Sequence, residues 1–243
     1  MEAASSSCFS RNEFLIRRLH SLSGLIPVGA YMVVHLCTNF TVFFSPAFFQ
    51  KQVDNIHSLD LFLPFVELTF IFIPILFHAI LGVVIIRTGV PNTSNYKYGN
   101  NVRYTLQRVT GMIAFAFIML HVFHMHHYGK SFGAGWGNFD PHNAAASAAI
   151  AMTGIWVPIV YAIGVLSCVF HLANGLWTMG ITWGVWISPA AQQRANYVCG
   201  GLGVVLAIAG LGSIIGLKKL PNEKPTAVQH VEQQASRTTS IDR

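Results

Sequence analysis

Four histidines stand inside long apolar runs, where an ionisable side chain is costly. They are His35 in GAYMVVHL, His78 in IFIPILFHAILG, His121 in AFAFIMLHV and His171 in IGVLSCVFHLANGLW. An imidazole surrounded by hydrocarbon is a functional-site candidate by default, because only a partner or a bound group offsets its burial. A neutral imidazole offers one ring nitrogen to a metal while the other is free to hydrogen bond. The chemistry open to these residues is therefore metal ligation. One more ionisable group lies among apolar residues, Glu67 in LPFVELTF, eleven positions before His78.

The elements that must position them are read from composition and hydropathy. Hydrophobic residues make up 53% of the chain and charged residues 10%, with a mean hydropathy of +0.50, the balance of a membrane protein. Five segments are long enough to cross about 30 Å of hydrocarbon at about 1.5 Å per residue: Leu22–Phe44, Phe65–Ile86, Leu106–His127, Ala149–Met179 and Tyr197–Leu217. The links between them are short, which excludes a soluble catalytic domain within the chain. The fold class expected is all-α, a bundle of five transmembrane helices. Gly212 and Gly216 in the fifth follow the small-residue spacing of packed membrane helices, and Pro74 is expected to bend the second.

Basic residues set the orientation. Arg11, Arg17, Arg18, Arg87, Lys97, Arg103, Arg108 and Arg194 fall on one side, and Lys51 and Lys130 fall in the alternate loops. The positive-inside rule then puts the N-terminus in the cytoplasm and the C-terminus outside, against the pull of Lys218, Lys219, Lys224, Arg237 and Arg243 in the tail. The net charge of +6 reads as topology, since no aromatic-lined basic groove for nucleic acid accompanies it. The scattered Cys8, Cys37, Cys168 and Cys199 form no CxxC, so no zinc or iron–sulfur centre is indicated. The first apolar run is too long for a cleavable signal peptide.

Depth sorts the four histidines into two pairs. Counted at 1.5 Å per residue, His35 lies ~24 Å beyond Leu19 and His121 ~20 Å beyond Arg108, whereas His78 is ~13 Å from Arg87 and His171 ~12 Å from Met179. His35 and His121 belong near the outer face, His78 and His171 near the inner. Two imidazoles facing each other at one level are the axial set of a low-spin haem. Two such pairs describe a bundle of four helices around two haems. Gly24 shares a face with His35 eleven residues on, and Gly164 lies seven before His171, so each thins its helix at the other pair's level. The absence of CxxCH makes the haems non-covalent. A histidine-lined metal transporter is the competing reading, although such a site gathers its ligands at one level with acids along a path.

Four blocks in order, RRLHSLSGLIPVGAYMVVHL, LPFVELTFIFIPILFHAILG, LQRVTGMIAFAFIMLHV and GVLSCVFHLANGLWTMGITWG, resemble the single-subunit di-haem cytochrome b anchor of succinate:quinone oxidoreductases, the succinate dehydrogenase and fumarate reductase family. The resemblance runs from about Arg11 to Leu217. It implies His35 with His121 as ligands of a distal b-type haem and His78 with His171 as ligands of a proximal one. It further implies a flavoprotein subunit and an iron–sulfur subunit on the cytoplasmic face of a bacterial inner membrane, quinone as substrate near the outer face, and lipid around the helices. The same features are open to the di-haem subunit of another quinone-linked oxidoreductase.

On this reading the chain divides into a cytoplasmic segment at 1–21, a transmembrane di-haem domain at 22–217 and a polar tail at 218–243 that is expected to be disordered. Glu67 is the candidate quinone and proton site, sharing a face with His78 one level further out. Arg17, Arg18, His20, Ser21, Arg103, Gln107 and Arg108 surround the cytoplasmic entrance, where haem propionates and the iron–sulfur subunit would sit. His124, His126 and His127 are expected at the outer interface, with His124 one turn beyond His121.

Overall fold

The computed structural model describes residues 8–87, 98–133 and 135–221, and among them the chain is helical with no strand. Among the described residues five helices are long and apolar enough to cross a membrane: Asn12–Phe43, Asp60–Arg87, Gly99–Met125, Trp156–Thr182 and Pro189–Lys218. The protein is an all-α membrane protein with five candidate spans, as its hydropathy requires. Lys97, Lys224, Arg237 and Arg243, which entered the orientation argument, lie outside the described residues, as does most of the expected polar tail.

Two of the spans are not regular helices, and proline is the reason in both. The first runs as Cys8–Ser23, a turn at Gly24–Gly29 and a second helix Ala30–Phe40. Ile26 leaves the helical region at φ −127° and ψ 115°, because the ring of Pro27 disfavours the helical conformation in the residue before it. In the second span a wide turn at Leu68–Phe72 stands just before Pro74. Pro74 has no N–H for the ordinary ladder, and a π-type turn is one way the helix absorbs that loss.

Several boundaries differ from the hydropathy reading. The third helix stops at Met125, two residues short of His127, because the glycine-rich loop folds back onto its end. Gly137 N–H donates to the His124 carbonyl at 2.9 Å and Phe139 N–H to that of Met125 at 3.3 Å, satisfying carbonyls that the helix end leaves open. The fourth span does not begin at Ala149. Ala144–Ala151 is a separate helix, and Gly154, at φ +75°, turns the chain before the span starts at Trp156. The fifth helix starts at Pro189, eight residues before Tyr197, where Ser188 accepts a hydrogen bond from Ala191 N–H at 3.2 Å, a serine cap followed by a first-turn proline.

The link expected as a plain outer loop contains a helix, Pro46–His57, which packs with Ala144–Ala151 as a cap over one end of the bundle. Phe49, Val53, Ala144, Ala148 and Met152 form its buried core together with Val42, Tyr161 and Leu217 of the spans. Gln50 ties the cap: its amide donates to the Pro141 carbonyl at 2.6 Å, and its side-chain oxygen accepts from Ala144 N–H at 2.8 Å. A second core, Leu36, Val169, Leu206 and Ala209, joins the first, fourth and fifth spans.

The fifth helix uses its glycines against the first. A side chain at Gly212 would strike the Phe40 ring, and one at Gly216 would come within 2.9 Å of the Phe43 backbone. Gly212→Leu is expected to destabilise the bundle by ~1–3 kcal/mol through overpacking. A lower thermal midpoint of the detergent-purified protein would be the readout, with Gly200→Leu, where nothing lies within 4 Å of an added Cβ, as the control.

Candidate functional site

The four intramembrane histidines come together as two pairs. The ring centroids of His78 and His171 are 6.1 Å apart with planes at 81°, and those of His35 and His121 are 5.7 Å apart with planes at 75°. Each pair joins two different spans, second with fourth and first with third. The pairs inferred from depth are thus neighbours in space.

A shared pattern governs their ring nitrogens. The Nδ1–H of His78 donates to the main-chain carbonyl of His20 at 2.9 Å, and that of His171 donates to the carbonyl of Gln107 at 3.0 Å. Nδ1 of His121 lies 3.3 Å from the Tyr161 hydroxyl, and Nδ1 of His35 lies 3.5 Å from the Tyr31 hydroxyl. All four hydrogen bonds use Nδ1, so Nε2 of each is left without a hydrogen-bond partner among the described residues.

The inner pair is seated by one device used twice. His20 and Gln107, whose carbonyls receive the imidazoles, are each followed four residues later by glycine, in HSLSG and QRVTG. In a helix the residue at i+4 lies over the carbonyl of residue i, so a side chain there would stand where the imidazole arrives. A Cβ on Gly24 would collide with the His78 ring, and one on Gly111 would lie 2.8 Å from His171 Cε1. The His20 carbonyl also accepts from the Ser23 hydroxyl at 3.0 Å. Its own ring stacks on His78 with centroids 4.0 Å apart and planes at 12°.

Gln107 is the hub of this level. Its amide donates back to the His171 carbonyl at 3.0 Å, and its side-chain oxygen accepts from Asn174 at 2.7 Å. Arg103 then donates to Asn174 at 2.8 Å and to Asn196 at 2.9 Å, with its guanidinium 3.9 Å above the Trp177 ring. Of the other residues expected at the cytoplasmic entrance, Arg17 pairs with Glu13, while Ser21 accepts from the Trp183 indole at 3.0 Å beneath Arg18. His20 Nδ1 and one terminal nitrogen of Arg108 are buried with no hydrogen-bond partner.

At the outer level Tyr161 is buried and its hydroxyl also meets His124 Nδ1, at 2.7 Å. Phe117 fills the space beside Gly164, so that the thin part of the fourth helix receives this ring. Glu67 sits half-buried on the second span, within electrostatic range of His57, His127 and Tyr31. His126 and His127 stack on each other and on Tyr128, and His126 also meets Phe72 edge-on. Burial, and then the adjacent His127, push the His126 imidazole below its ordinary pKa.

Sequence reasoning named His20 and Gln107 at the cytoplasmic entrance and Glu67 as a proton site, but not the carbonyls that receive His78 and His171, and it missed Tyr31 and Tyr161. Tyr31 was legible, one helical turn before His35. Tyr161 was not, since its partners lie on another helix.

A multi-pass helical membrane subunit with histidines paired across four of its spans is the class that this fold and site define. Over 208 residues, covering 83% of the chain and 96% of the relative, the sequence is 37% identical to the succinate dehydrogenase cytochrome b558 subunit of Bacillus subtilis. The chain belongs to the cytochrome b membrane-anchor family of succinate:quinone oxidoreductases. No family model matches the sequence.

The glycine seats give a direct test. Gly111→Ala is expected to displace the His171 ring and destabilise the protein by ~1–3 kcal/mol, whereas Gly99→Ala, with open space around an added Cβ, should leave the melting temperature within error of the parent.

Proposed function

We propose that this chain is the membrane anchor and quinone-reactive subunit of a succinate dehydrogenase or fumarate reductase complex, holding two b-type haems between His78 and His171 and between His35 and His121. The observation that carries this is the arrangement of the four imidazoles. The ring centroids of His78 and His171 are 6.1 Å apart and those of His35 and His121 are 5.7 Å apart, so each pair would offer its two Nε2 atoms to one haem iron. Metal-bound histidine characteristically gives its other ring N–H to a carbonyl or similar acceptor, which fixes the tautomer. All four have such a partner at Nδ1.

The donor set also suits the rest of the group. The buried, unpaired nitrogens of His20 and Arg108 lie on the first and third spans, near the ends that carry the proximal pair. They are suited to donate to propionate carboxylates in charge-assisted bonds. When bound, the two haems supply one-electron carriers in series, proximal then distal, between an iron–sulfur subunit on the cytoplasmic face and quinone near the outer face. The protein's own part is to hold both imidazole pairs at fixed separation and to exclude water with the apolar walls of the spans.

Protons for quinone reduction come from the outer side of the bundle. Glu67 is a carboxylate of the second span near the outer pair, and His57, His127 and Tyr31 around it provide groups that hold and pass a proton. The dicarboxylate chemistry belongs to the flavoprotein subunit of the complex. Basic residues at the inner ends of the spans put the N-terminus in the cytoplasm and the C-terminus outside.

The purified complex is expected to give a reduced-minus-oxidised spectrum of b-type haem with two haems per chain. His171→Ala should lower that ratio to one while the distal signal persists. A complex without a b-type signal, or one with a single haem that His171→Ala leaves in place, would overturn this reading. Glu67→Gln should leave both haem signals intact and reduce succinate-driven quinone reduction by about 10²-fold, the scale of a positioned acid–base group; unchanged turnover would remove Glu67 from the mechanism.

A further inference from the structure

The two imidazole pairs differ in what holds them. His78 and His171 are anchored to main-chain carbonyls, which no side-chain change can remove. His35 and His121 face phenolic hydroxyls. Of the two tyrosines, Tyr161 is the more completely built into the protein. It is 5% exposed, whereas Tyr31 is 39% exposed. Its ring packs edge-on against Phe117 at 5.2 Å and against both His121 and His124 at 5.6 Å. Beyond it, His124 leans on Trp136 at 5.5 Å, in the loop that closes over the end of the third helix.

The geometry points to Tyr161 as a positioning residue for the distal haem ligand His121, and through that contact as a residue that tunes the distal haem's potential. This rests on the di-haem reading above. With Nε2 of His121 given to iron, Nδ1 carries the proton and donates to the Tyr161 oxygen. The Tyr161 hydroxyl hydrogen is then directed to His124 Nδ1 at 2.7 Å. A hydroxyl that is itself donating is a stronger acceptor, so His124 reinforces the bond that Tyr161 makes with His121. Hydrogen bonding to the outer nitrogen of a metal-bound imidazole raises its basicity, which favours ferric over ferrous iron. The pair Tyr161 and His124 therefore holds the distal potential below the value it would have without this bond, and does so by side chains, where the proximal level uses main-chain carbonyls.

The test is a redox titration of the intact complex, followed by haem absorbance, with the distal component identified as the one lost in His35→Ala. Tyr161→Phe keeps the ring and its packing but removes the acceptor. It should raise the distal midpoint by about 59 mV, the equivalent of a tenfold change in a one-electron equilibrium, with two haems per chain and the proximal midpoint unmoved. His124→Leu, at the end of the helix, should move the distal midpoint in the same direction by less. Two retained haems and an unmoved distal midpoint in Tyr161→Phe would overturn the proposal. Should that variant lose the distal haem, His124→Leu decides in its place, and an unmoved distal midpoint there overturns it. A parent complex with no b-type haem would overturn the proposed function itself, and this inference with it.

Discussion

An imidazole in hydrocarbon must have its ring nitrogens satisfied, and the bundle is arranged around that requirement. A polar group left unpaired in such surroundings is penalised by several kcal/mol, and this chain carries four imidazoles at that risk. Each is satisfied at Nδ1 from a different helix or from the turn before it on the same helix: His78 by the first span, His171 by the third, His121 by the fourth, His35 by Tyr31 of its own span. The bonds that orient the rings are thus also bonds that tie spans together. A change in the angle between two helices would break an imidazole's partner as well as a packing contact.

The seat of His78 on the first span belongs to the same logic. The His20 carbonyl accepts from the Ser23 hydroxyl at 3.0 Å and from His78 at 2.9 Å. Glycine at position 24 then lets the second span close in. The third span reaches the same end, since Gly111 uncovers the carbonyl of Gln107 in a regular helix. In HSLSG and QRVTG the acceptor residues differ and the glycines agree, because a main-chain carbonyl is common to all residues and the space beside it is not.

Much of this was legible in the sequence, and the missing part has a physical reason. Helix count, the two histidine pairs and their different levels follow from hydropathy and from rise per residue, both of which are one-dimensional quantities. Gly24 was noticed for thinning its helix, but its use is to admit His78, which spacing along one helix cannot reveal. Tyr161 and the hub at Gln107 were hidden for the same reason, since their partners come from other spans. The cap helix Pro46–His57 was hidden by its mixed polarity, which reads as loop until Ala144–Ala151 is brought against it. The start of the fourth span was misplaced because an alanine-rich cap helix and a membrane span are both apolar, and only Gly154 separates them.

The contrast between the two levels also bears on how such a subunit varies. At the inner level the acceptors are main-chain atoms, so the seats of His78 and His171 survive any substitution that spares the two glycines and the helix paths. At the outer level the partners are side chains of Tyr31 and Tyr161, backed by His124 and, on the other flank, by Glu67. Of these groups Tyr161 packs into the core that the cap shares with the spans, and His124 meets Trp136 of the loop beyond the third helix. The rigid end is the one that faces the electron donor on the proposed reading, and the adjustable end is the one that faces quinone.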